Sequence, residues 1–164
     1  MHFSKLSLSE LLGVLAAAVL VVALFLLNWF DLGRNVDSRE MGNAAAFLCG
    51  KNQYSCGGFD TFPILRWILL AAAAAPFILA YIVIRGHKLS WAPGELTMVI
   101  GFAAFVLLLY NGIIDTPGMG DAQIKVTKDV GYYVALAATF GIAAAGVGRA
   151  MAAQKGPRKA PGTV

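Results

Sequence analysis

Four stretches free of charge, residues 11–30, 67–84, 96–114 and 130–148, constrain this chain more than anything else in it. A helix rises about 1.5 Å per residue, so each stretch can cross the roughly 30 Å hydrocarbon core of a bilayer. A helix also satisfies its own backbone hydrogen bonds where water is absent. Composition points the same way: 59% of residues are hydrophobic and 13% charged, against about 25% charged in a typical soluble domain. The expected fold is an all-α integral membrane protein, a four-transmembrane-helix bundle over residues 1–151. Residues 152–164, rich in Pro, Gly and Lys, are expected to be a disordered basic cytoplasmic tail. The first stretch follows Lys5 and runs into Asn28, Trp29, Phe30 and Asp31 with no Ala-x-Ala cleavage pattern. It therefore reads as a retained helix rather than a signal peptide.

The net charge of +4 does not imply nucleic acid, because the cations sit at the ends of the apolar stretches, where they orient a membrane protein. Lys5, Arg85, Lys88, Arg149, Lys155, Arg158 and Lys159 would share one side with Glu10 and Glu95. On the other side Arg34, Arg39, Lys51, Arg66, Lys125 and Lys128 are offset by a larger number of acids. The first group is concentrated in short segments, so both termini are expected on the cytoplasmic side of the membrane, with two larger loops outside. The expected partners are the lipid bilayer, anionic lipids for the tail, and a second copy or a larger membrane complex.

Cys49 and Cys56, the two cysteines of the chain, fall in the first of these loops. On an oxidising side, two cysteines in one loop suggest a disulfide. A zinc site would need four ligands, and His2 and His87 lie on the other side. A redox pair would need Cys-x-x-Cys, and the spacing here is wider. Two free thiols remain the reading if the orientation is reversed. The alternation of residues 123–127 is strand-like and could join a short sheet with the first loop.

Polar and small residues mark further expectations. Ser7 and Glu10 form a capping-box pattern before the first stretch. Trp29 and Trp91 are placed as interface anchors. Arg66 could pair with Asp115, at the end of the third stretch. Asn111, the deepest strongly polar residue of that helix, is a candidate for an interhelical hydrogen bond. Ala71–Ala75 before Pro76 is a smooth face with a kink expected at the proline. Ala137, Gly141 and Ala145, four apart, form a small-residue stripe for close helix packing, read as internal to the bundle.

Trp29, the paired cysteines in the following loop and Arg66 at the start of the second span together resemble the claudin-like four-span layout. That resemblance implies a small extracellular sheet shaped by the tryptophan and a disulfide. Ala46-Phe47-Leu48 stands where the claudin Gly-Leu-Trp motif would be, so topology carries over and paracellular sealing does not. The chain is also similar to four-span proteins of actinobacteria that have no assigned activity. The residues concerned are Phe62-Pro63-Ile64-Leu65-Arg66; Leu109-Tyr110-Asn111-Gly112-Ile113 with Pro117, where Asn111 takes a position often held by arginine; and Gly141, Ala145 and Arg149. This similarity implies fold and a bacterial inner membrane only.

No stretch carries an ionisable residue at its middle, and no paired Cys-x-x-Cys motif suggests a quinone-linked thiol oxidoreductase. The expected role is that of a non-enzymatic structural, assembly or accessory-subunit protein without cofactor, metal or catalytic residues. The alternative is a homo-oligomeric channel or small transporter lined by Thr97 or Thr139.

Overall fold

The computed structural model describes residues 7–32, 55–85, 93–116 and 126–154. The elements run α1 (Leu8–Leu26), β1 (Asn28–Leu32), β2 (Ser55–Gly57), α2 (Gly58–Thr61), α3 (Leu65–Arg85), α4 (Pro93–Leu109, continued by a π-helical turn Tyr110–Ile114), β3 (Val126–Lys128) and α5 (Val130–Gln154). Four helices, Leu8–Leu26, Leu65–Arg85, Gly94–Ile114 and Val130–Ala152, are long and apolar enough to cross a membrane. They alternate in direction. Contacts close them into a ring in which α1 packs on α3 and α5, and α4 on α5 and α3. One end of the bundle carries the strands and α2; the other carries the first turn of α1 and the last turns of α5.

The start of α1 follows from local chemistry. Ser7 caps the helix: its hydroxyl accepts from the Glu10 amide at 3.4 Å, and its own amide donates to Glu10 Oε2 at 2.6 Å. The other carboxylate oxygen of Glu10 meets Arg149 Nη2 of α5 at 2.7 Å. Both side chains are largely buried, so one carboxylate caps α1 and also ties it to α5. Sequence assigned Glu10 only the local task.

The end of α1 departs from the expectation that the first span runs to residue 30. The helix stops at Leu26, Leu27 is extended, and Asn28–Leu32 form a strand. That strand is the centre of a three-stranded antiparallel sheet, β2-β1-β3. Nothing in Leu27–Phe30 forbids a further helical turn; the strand wins because its amides and carbonyls find partners in β2 and β3. Residues 123–127 were expected to supply a strand, and β3 takes Val126–Lys128. Helix α3 is continuous across Pro76, whose buried ring faces Gly13 of α1. Helix α5 runs on to Gln154, past the expected domain end at residue 151.

The closest helix contact is α4 on α5. Gly94, Thr97, Gly101, Ala104 and Leu108, spaced alternately three and four apart, are the buried face of α4. A Cβ on Gly101 would lie 2.7 Å from the Ala143 amide nitrogen, one on Gly94 2.9 Å from the Gly146 carbonyl, and one on Gly146 against the Met98 backbone. Lipid supplies no hydrophobic drive between helices, so such close backbone approach provides the packing attraction. Of the expected stripe, Gly141 and Ala145 do face α1, where a Cβ on Gly141 would meet Ala16 Cβ at 3.2 Å. A Cβ on Gly13 would meet Ala145 Cβ at 3.3 Å. Ala137, by contrast, is exposed. The deeply buried face of α5 is the neighbouring one, Ala135, Ala138, Ile142 and Gly146.

Candidate functional site at the sheet end

The sheet is bolted to the bundle by aromatic rings. β1 contains a bulge: Asn28 pairs with Gly57 and Phe30 with Cys56, leaving Trp29 as the extra residue. A regular strand would send Trp29 and Phe30 to opposite faces. The bulge lets both turn inward, and they are 0% and 1% exposed. Trp29 is therefore not an interface anchor as expected; it is a core residue. Its indole N–H donates to the Ala23 carbonyl at 2.7 Å, satisfying one of the carbonyls left open where α1 ends. The Trp29 backbone carbonyl accepts from the Asp129 amide at 2.8 Å, next to the start of α5.

Around Trp29 and Phe30 stand Phe62 and Tyr132. Ring centroids lie 6.2 Å apart for Trp29–Phe62, 6.3 Å for Trp29–Tyr132, 5.8 Å for Phe30–Phe62 and 6.0 Å for Phe30–Tyr132. Their tilted and edge-on geometries are those aromatic quadrupoles favour. The buried Tyr132 hydroxyl donates to the Leu108 carbonyl at 3.2 Å, linking α5 to α4. Glycines make room for these rings. A Cβ on Gly58 would enter the Trp29 indole, one on Gly112 the Tyr132 ring, and one on Gly131 would reach 2.7 Å from Trp29 Cδ1. These rings and glycines come from four elements and from Phe62 just after α2, and the sequence alone marks none of the three glycines as a seat for a ring.

Other expected site residues take different places. Cys49 and Trp91 lie outside the described residues. Cys56 is buried on β2, directly across from Phe30, and no described cysteine is free. Arg66 does not pair with Asp115; among the described residues the one ion pair is Glu10–Arg149. Asp115 is exposed and its amide closes the π-helical turn on the Tyr110 carbonyl at 3.0 Å. The guanidinium of Arg66 instead lies over the rings of Phe59 and Trp67. Asn111 makes no interhelical bond among the described residues: its amide donates to the Leu107 carbonyl of its own helix at 2.8 Å. The same return to a carbonyl four residues back is made by Thr61, Thr116 and Thr139. A polar side chain in an apolar medium takes the nearest acceptor, and within a helix that acceptor is the preceding turn.

No family model, curated protein or solved structure matches the chain. The arrangement must speak through its chemistry. Among the described residues no group of His, Cys, Asp and Glu could hold a metal ion. What the sheet end offers is a rigid, ring-seated platform of three strands standing on the helices.

Proposed function

We propose that this protein is a non-enzymatic assembly or accessory subunit of a bacterial cytoplasmic membrane, with its termini inside and its sheet outside. The observation that carries the reading is the disposal of polar groups along the spans. Asn111 and Thr139 spend their hydrogen bonds on their own helices, and Glu10 and Arg149 neutralise each other at the far end. A channel or transporter needs polar groups that face a path. Thr97 and Thr139, the residues a channel between copies would use, are buried within the chain at 5% and 0% exposure. The protein is thus built to hold a shape: glycine-sealed helices below and an aromatic-seated sheet above. Purified protein in liposomes should pass no more ion flux than protein-free vesicles, while its native mass in mild detergent should exceed one chain. Measurable flux would overturn the reading in favour of a channel, and a strict monomer in both detergent and nanodiscs would remove the assembly role.

The reading includes a disulfide between Cys49 and Cys56 that pins β2 to the remainder of its loop. A loop of this size would gain roughly 2–3 kcal/mol of constraint. In intact cells a membrane-impermeant thiol reagent should label the protein only after reduction. Labelling without reductant would sink the bond, and labelling confined to lysed cells would reverse the orientation.

A further inference from the structure

Arg66 opens the membrane-spanning part of α3, and its guanidinium packs on aromatic rings. Its guanidinium carbon lies 4.9 Å from the Phe59 ring centroid and 5.6 Å from that of Trp67. Nη1 reaches the Phe59 carbonyl at 3.4 Å, a long hydrogen bond. Nε is buried with no hydrogen-bond partner, and among the described residues no carboxylate pairs with this arginine. A guanidinium presents five N–H donors in a planar fork that fits an oxyanion bidentately; with Nε shielded and one long bond from Nη1, the Nη1–Nη2 edge is left to receive one. The aromatic rings fix the fork without neutralising it: Phe59 stacks on Phe25 at 4.9 Å and meets Trp67 edge-on at 6.5 Å. Around it Ile64 and Trp67 are 77% and 61% exposed, apolar surface that bilayer lipid would cover. The fork therefore sits where a helix enters the bilayer, the level of the lipid phosphates.

We propose that Arg66, held over Phe59 and Trp67, binds the phosphate of an anionic phospholipid in the leaflet at the sheet end. Net negative charge selects the ligand, because a zwitterionic headgroup brings its own cation to the phosphate, whereas an anionic one leaves the charge to Arg66. This rests on α3 crossing a membrane and not on the assembly role, so either can fail alone. The test is native mass spectrometry of the full chain titrated with phosphatidylglycerol or phosphatidylcholine, for wild type, Arg66→Gln and Arg66→Lys, with the thermal unfolding midpoint of each variant as the folding control. The basic tail contributes equally to all three proteins. Wild type should bind phosphatidylglycerol in preference to phosphatidylcholine. Arg66→Gln should weaken phosphatidylglycerol binding about tenfold, and Arg66→Lys should recover part of the loss because it keeps charge but not the fork. Equal binding by folded wild type and Arg66→Gln would overturn the proposal. Full competition by low-millimolar inorganic phosphate would overturn the lipid assignment, giving the site to a soluble anion. If Arg66→Gln does not fold, the wild-type preference and the partial loss in Arg66→Lys decide the question; wild type without preference, or Arg66→Lys equal to wild type, overturns it.

Discussion

Replacing Trp29 with alanine should cost about 3–5 kcal/mol, the usual range for emptying a buried aromatic site. The indole is fully buried, touches rings from two other segments, and bonds the Ala23 carbonyl. Gly58 and Gly131 leave space that this ring fills, so the cavity cannot collapse without moving the start of α2 or of α5. The loss should be local in kind. Helices α3 and α4 keep most of their contacts, so far-UV circular dichroism should retain its helical signal. Protease cleavage should rise in the segment joining α1 to α3. Trp29→Phe keeps a ring but strands the Ala23 carbonyl, and should cost less, about 1–3 kcal/mol. Denaturant titration in detergent measures both, and a Trp29→Ala protein as stable as wild type would show that the sheet is not seated through this residue.

Gly146→Leu should be the other severe change. The Cβ alone would run into the Met98 backbone, and the remaining side chain would have to separate α4 from α5. Backbone cannot rotate aside as a side chain can, so the overpacking penalty should reach about 3 kcal/mol or more, the upper end of what inserted volume costs. Gly148→Ala is the contrast. Its Cβ would meet Ser9 Cβ at 3.7 Å, ordinary van der Waals contact, on an exposed position of the same helix. A glycine in a helix interior is worse than alanine by about 0.5–1 kcal/mol, so this change should be neutral or stabilising. Equal tolerance at both positions would mean that α4 and α5 do not meet through Gly146.

The two substitutions lie two residues apart in one apolar run, and nothing in the run tells them apart. The number of long apolar helices and the start of α1 were legible beforehand, because both depend on groups close together in the chain. A charge-free run must leave water as a unit, and the Ser7–Glu10 box closes within one turn. The stripe of Ala137, Gly141 and Ala145 was half legible: small residues four apart announced a close contact, but not which helix would come against which face. The buried seam on α4, Gly94, Thr97, Gly101, Ala104 and Leu108, becomes a seam only when the helices are placed.

Three decisions belonged to tertiary structure alone. Leu27–Phe30 could have extended α1 as far as local preference goes; they became strand because β2 and β3, distant in sequence, offered backbone partners, and the bulge at Trp29 then brought two consecutive aromatics into one core. Glu10 had a complete local role, and only the packing of α1 on α5 brought Arg149 to its second oxygen. Arg66 and Asp115 carry complementary charges at the same end of the bundle, yet the aromatic surface of Phe59 and Trp67 took the guanidinium. Local chemistry determined which segments are helices and how the first one begins. Which groups meet, and that the Arg66 guanidinium settles on aromatic rings rather than on a carboxylate, depended on distances that exist only once the chain has folded.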